Sequence, residues 1–388
     1  MSLPPIYLDH NATTPIAEEV LLAMTEAARR YSGNPSSQHA AGRAARAVLE
    51  DAREEIAAIL GARWNDTVLF TSGGTEANNL ALFGLAGEAP SRVLISAIEH
   101  PSVDAAAMQL KSRGWDIAKV PVEHSGLLRQ DALSELLQTP TRLASVIYGN
   151  NETGVLQPID QITAACHNAG AAIHIDAVQV AGKLPLNFAQ LDVEAMTVTP
   201  HKFHGPKGIG ALILRSGVRL APQIFGGQQQ DAQRPGTESV ALAVGFCEAL
   251  RLWRENAADI AARLSRLRET FEQELQRETM NIGTMNIVVH SSAVPRLPHT
   301  SNIAFPGVDR QELLLALDNA GVACSAGSAC ASGSSDPSPT LAAMGVPEDQ
   351  ISASLRFSFG RGQQPEDVVE AARRISKCVN NLRGSKPA

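Results

Sequence analysis

The run SAGSACASGSS, residues 325–335, sets one thiol, Cys330, among residues too small and polar to pack it. A free cysteine usually behaves as a small buried hydrophobe. This one reads as a reagent on an arm, and Gly/Ser-rich chain is flexible, so residues from about 324 to 338 are expected to be mobile. A second group of reactive residue types follows short apolar, β-branched runs. SGGTEANNLAL follows TVLFT, and Glu99-His100-Pro101 follows RVLISAI. Asn150-Asn151-Glu152-Thr153-Gly154 follows RLASVIY. Asp176 closes AAIHID with Gln179 shortly after it, and His201-Lys202 follows AMTVTP. Open α/β sheets bind ligands beyond the carboxyl ends of their strands. Five polar endings on one rim point to a site for one small ligand.

Each group suggests a chemistry. Gly73 and Gly74 permit close backbone approach, Thr75 adds a hydroxyl, and the following helix offers free N–H groups, which suits a phosphate. Taken alone, the same residues make a plain strand-to-helix turn. Lys202 stands between His201 and Phe203. A partly desolvated lysine loses its proton more readily and attacks an aldehyde to form a Schiff base. Most lysines are simply exposed, and Lys183 and Lys207 compete for the role, though neither directly ends a strand. A carboxylate at a buried strand end, Asp176, needs a cation; a protonated pyridine nitrogen or a structural arginine would serve. His100 alone reads as a core histidine. Beside Asp176 and Lys202 it reads as a flat ring that stacks on another. Phosphate cradle, amine, carboxylate and imidazole together suit pyridoxal phosphate, an electron sink kept electron-poor by the carboxylate. No GxGxxG opens a helix, and GPKGIG lacks the order of a P-loop, so nucleotide binding has little support.

These residues need a scaffold of some size. The chain has 388 residues, about right for two domains, and 44% are hydrophobic, enough for a sizeable core. Net charge is -7 with no basic block, so direct nucleic-acid binding and an anionic membrane surface are not expected. MSLPPIYLDHNATT has neither the charged nor the apolar region of a signal peptide, and no apolar run is long enough to span a bilayer. Five cysteines at long spacings, without CxxC, fit neither a disulfide framework nor a zinc site. A reducing cytoplasm is expected, with Cys166, Cys247 and Cys378 as packing residues. Helical periodicity over 16–31 and 41–60, followed by alternating strands and helices, predicts a mainly parallel sheet covered on both faces. After about residue 255 the pattern changes to long charged helices (260–278, 365–383) with a mixed region between them. The expected organisation is a large domain over 15–255 and a smaller α+β domain from 1–14 with 256–388.

Ten motifs then occur in order: YLDHNATTP, GNPSSQHAAGRAAR, FTSGGTEANNLAL, IEHPSV, NNETGVLQPI, HIDAVQVAGKLPL, TPHKFHGPKGIGAL, RPGTES, GSACASGS and SLRFSFGR. The set resembles the cysteine desulfurases, the NifS/IscS-like group of the class-V aminotransferase family. The resemblance implies the α/β fold type I of pyridoxal-phosphate enzymes, with a mainly parallel central sheet flanked by helices and a smaller α+β domain bearing the cysteine loop. It implies that Lys202 carries the cofactor as a Schiff base and shuttles the Cα proton. Asp176 would hold the pyridine nitrogen, His100 would stack on the ring, and Gln179 would meet the phenolic oxygen. Gly74, Thr75, Thr199 and His201 would bind the phosphate, joined by Thr237 from the other subunit of a homodimer. Arg356, with Asn151, would grip the substrate carboxylate. The implied reaction takes L-cysteine to L-alanine and leaves a persulfide on Cys330, for delivery to a protein acceptor such as an iron–sulfur scaffold.

Some features depart from that family's usual form. FGGQQQDAQ precedes RPGTES, Cys324 stands where cysteine is not usual, and Asp336-Pro337-Ser338 replaces Glu-Pro-Ser. Selenocysteine lyase would need the same residues, whereas an aminotransferase would need no loop thiol. A non-catalytic homologue would be distinguished by failure to bind the cofactor.

Overall fold

The computed structural model describes residues 4–281, 287–327 and 337–384. Cys330 lies outside the described residues. Among these, seven strands form one sheet, in the spatial order Thr67–Thr71, Gly210–Leu214, Ala195–Val198, Ala172–Asp176, Leu143–Ile147, Arg92–Ser96, Asp116–Val120. Neighbours pair parallel except at Gly210–Leu214, which is antiparallel to both its partners.

The strands are apolar on both faces because helices cover both. The alternation of side chains is visible in what each face packs. Val68, Phe70, Leu94, Ala211 and Ile213 join the helices Ala40–Ile59, Ile159–Asn168 and Val240–Glu255 in one core. Their sequence neighbours Leu69, Val93, Ile95, Leu212 and Leu214 join the helices Gly74–Ala86 and Pro101–Ser112 in another. The expected helices are observed as Glu18–Arg30 and Ala40–Ile59. Cys166 and Cys247 are buried and Cys378 half-buried, each within a helix. The strand Asp116–Val120 has no counterpart in the sequence reading. Its sequence DIAKV carries two charges, as suits an edge strand that water reaches.

The chain ends build a separate layer. Ser354–Ser358 pairs antiparallel with Thr300–Ala304, which pairs with Val288–Val289. The N-terminal strand Ile6–Tyr7 runs parallel to Val322–Ala323. Helices Ala257–Asn281, Arg310–Asn319 and Pro365–Gly384 close over a core in which Phe271 lies 5.0 Å from Phe357 and 5.3 Å from Phe359, ring centre to ring centre. A further cluster links this layer to the large sheet: Ile98, Val122 and Ile147 pack with Leu341, Met344, Val346 and Ile351. Among the described residues no helix is long and apolar enough to cross a membrane.

Phe271 is fully buried and supports two other rings. Phe271→Ala should cost about 3–5 kcal/mol, read as a lower denaturant midpoint.

Candidate active site

Asp176 ends its strand in register with Ile147 on one side and Thr197 on the other. The segments leaving those strands therefore start at one rim. The Asp176 carboxylate is buried. Its hydrogen bonds come from neutral groups, the Asn78 amide (2.7 Å) and the Val178 N–H (3.0 Å). Asn78 also reaches Ser102 Oγ (2.9 Å), which lies 2.7 Å from His100 Nδ1. His100 caps the helix Pro101–Ser112 by accepting from the Ser102 N–H at 3.1 Å. The aromatic ring and the carboxylate are thus fixed by one relay. Burial holds the His100 imidazole below its ordinary value; Asp176 opposes this, and Lys202 and Arg356 add to it. Burial thus disfavours the charged form of the ring, which suits stacking.

Lys202 follows Ala195–Val198 in the short turn Pro200–Lys202. Its Nζ donates to the backbone carbonyls of Asn11 (2.6 Å) and Ala12 (2.8 Å). Gln179 Nε2 donates to the same Asn11 oxygen at 3.0 Å. Of the competing lysines, Lys207 is exposed, while Lys183 is buried and bonds Gln179 Oε1 at 3.3 Å. His201 Nδ1 lies 3.2 Å from Thr13 Oγ1, and burial, then Lys202, drives its imidazole down to about 3.

Gly73 and Gly74 lead into the helix Gly74–Ala86. A Cβ on Gly73 would meet open space, while Gly210 lets the neighbouring strand run against Gly73, where a Cβ would come within 2.6 Å of its carbonyl carbon. Thr75 is exposed. Thr199 is buried, its hydroxyl donating to Ile209 O at 2.9 Å and its methyl carbon facing Gly74. Thr237 is exposed and stands apart from Lys202, lining a cavity of about 140 Å³ with Thr71, Ser72 and Gly208.

Arg356, in the strand Ser354–Ser358, is buried. Its guanidinium bonds Asp9 Oδ1 (2.7 Å) and Asn151 O (3.0 Å), and among the described residues its Nε has no partner. Its backbone pairs with Ser325 through two hydrogen bonds, so the cysteine segment departs beside it. At the other end Ser338 Oγ donates to the buried Glu152 (2.6 Å), against which Gly327 also packs; a Cβ there would lie 2.6 Å from Glu152 Oε2. Of the segment expected to be mobile, residues 328–336 lie outside the described residues, and both flanks are hydrogen-bonded into the structure. Burial pushes the Cys324 thiol up, away from the reactive thiolate.

The sequence reading assigned no role to Ser102, nor to Asp9, Asn11 or Asn78, whose partners Arg356, Thr300 and Asp176 lie far away in the chain. It also quoted Glu99 and Glu152 without assigning them a task.

Comparison with known proteins places this arrangement. The class-V aminotransferase family profile matches residues 6–370. A cysteine desulfurase of Sinorhizobium fredii is 38% identical over 386 residues, covering 99% of this chain and 98% of that protein. The cysteine desulfurase IscS of Dictyoglomus turgidum is 36% identical, covering 98% of this chain and 96% of its own. A solved NifS-like protein superposes with a TM-score of 0.89 at 30% identity, covering 97% of this chain and all of that one. The chain belongs to the class-V aminotransferase family, in its cysteine desulfurase group. The cofactor of the family is pyridoxal phosphate, and the residues present fit it. A cysteine desulfurase needs a carboxylate for a pyridinium, an amine, a flat neutral ring and a phosphate cradle, and the rim holds Asp176, Lys202, His100 and the open space at Gly73.

Glu99 lies beneath this desulfurase site. Its Oε1 accepts from Ser96 Oγ and Ile147 N–H, both at 2.6 Å, and among the described residues its buried Oε2 has no partner. Burial, reinforced by the charge of Asp176, raises its carboxyl to about 8, against the pull of those two hydrogen bonds. The folded protein therefore holds this proton where the unfolded chain has lost it. The resulting stability is complete below the ordinary glutamate range and is lost as pH rises through about 8. Glu99→Gln keeps the shape without the titration. Its melting temperature relative to the parent should climb from mildly acidic pH to about 8 and then level off. A difference independent of pH would show that Glu99 is ionised throughout.

Proposed function

We propose that the chain converts L-cysteine to L-alanine and passes the sulfur to Cys330 as a persulfide, for transfer to a protein acceptor such as an iron–sulfur scaffold. The observation that carries this reading is the junction at Arg356: the guanidinium suited to a substrate carboxylate shares a backbone pair with Ser325, where the cysteine segment begins. Four residues lie between Ser325 and Cys330, so five residue steps carry Cys330 at most about 17 Å from that anchor.

In this reading Lys202 would hold the cofactor, and its amine would take and return the substrate's Cα proton. Asp176 keeps the ring nitrogen protonated, His100 covers the ring face, and Gln179 donates to the ring oxygen. Gly74, Thr75, Thr199 and His201 receive the phosphate, with Thr237 reaching across a homodimer. When bound, pyridoxal phosphate supplies a sink for the electron pair freed at Cα. Arg356 and Asn151 orient the substrate carboxylate. The Cys330 thiolate attacks the substrate sulfur: the S–S bond forms as the Cβ–S bond breaks, and the carbon skeleton takes up protons to become alanine. The separate apolar cores support a division into 15–255 and 1–14 with 256–388. The cysteine usage fits a cytoplasmic setting.

The test is L-cysteine turnover with a thiol reductant, following visible absorbance, alanine and sulfide. The parent should form alanine and sulfide in equal amounts. Cys330→Ala should keep the cofactor's absorbance and lose sulfide release; normal turnover by that variant would sink the mechanism. Arg356→Lys replaces a two-pronged grip with a point charge. It should raise KM for cysteine by about tenfold or more, the scale of a lost charged hydrogen bond, while the cofactor stays bound.

A further inference from the structure

We propose that Lys183 is a positioning residue that acts through Gln179, fixing the direction in which Gln179 presents its amide N–H to the cofactor site. The proposal rests on the reading above, in which Gln179 meets the cofactor's ring oxygen.

Lys183 is 4% exposed, a rare place for an amine. Its surroundings are basic. Lys202, His10, His201, His204 and His299 all interact with it electrostatically. Among the described residues it forms no ion pair with a carboxylate. Such a placement is costly, and its amine donates to Gln179 Oε1 at 3.3 Å. The backbone is shaped to deliver it. Gly182 has φ +72°, and a Cβ there would come within 2.2 Å of Phe203 Cγ, so the chain turns tightly against the residue after Lys202.

The consequence lies in the two ends of the Gln179 amide, whose oxygen and nitrogen are nearly alike in size. On one side stands the Asn11 carbonyl oxygen, which only accepts and takes Nε2 at 3.0 Å. On the other stands the Lys183 amine, which donates to Oε1. The two contacts agree on one orientation. Nε2 carries a second hydrogen, which remains for a ligand oxygen. Without the amine, Oε1 is buried with no donor and half of the constraint is gone.

The test uses the cofactor-loaded protein and the pH midpoint of its visible band. Losing the proton shared between the cofactor's ring oxygen and the nitrogen that holds it leaves negative charge on that oxygen, which a nearby donor favours. Lys183→Met should move the midpoint up by about one pH unit, the size of a lost hydrogen bond to a charged group. In a Gln179→Leu background the same substitution should add nothing further. Lys183→Gln is one atom shorter, cannot reach Oε1 and keeps a polar end, so it should repeat the shift if Lys183→Met fails to fold. If Gln179→Leu moves the midpoint but neither Lys183 variant does, the role of Lys183 is overturned and the reading of Gln179 stands. If Gln179→Leu leaves the midpoint in place, the contact of Gln179 with the ring oxygen fails, and the proposal with it.

Discussion

The site depends on one short turn, Asp9 to Ala12, that four distant parts of the chain share. The carbonyls of Asn11 and Ala12 hold the Lys202 amine. The Asn11 side chain donates to Asn151 O and Thr300 Oγ1, its N–H donates to Ser358 Oγ, and Asp9 pairs with Arg356. Asn11 is buried, so every one of these groups would lack water if the turn moved. The large sheet places Lys202, and the C-terminal layer places Arg356. The N-terminal turn sets the distance between them.

Much of this was legible in the sequence because it rests on local pattern. Apolar β-branched runs ending in polar residues marked the parallel strands and put Lys202, Asp176 and His100 at their ends. Helical periodicity marked the helices, and the change of texture after residue 255 marked the second layer. Asp116–Val120 stayed hidden because an edge strand need not be apolar. Asn78 reads as one polar residue in a helix until the fold brings it between Asp176 and Ser102. Asp9 and Asn11 stood within a quoted motif, yet their partners lie about 140 to 350 residues away, and no spacing rule reports contacts at that range.

The site also holds an unusual number of basic groups with little charge. Burial lowers His100, His201 and Lys183 together, while Glu99 is raised toward neutrality. Burial thus disfavours the charged forms of the groups packed around Asp176 and Arg356. A preorganised set of dipoles around few charges needs little rearrangement when charge develops on a ligand.

The hydrogen bonds of Ser325 and Ser338 to the body of the protein make the length of chain between them a concentration. A thiol confined to within about 17 Å of Ser325 is present at an effective level on the order of 0.1 M, whatever the amount of protein in solution. The count of residues between the anchor and the thiol thus sets how often that thiol meets a ligand held near Arg356.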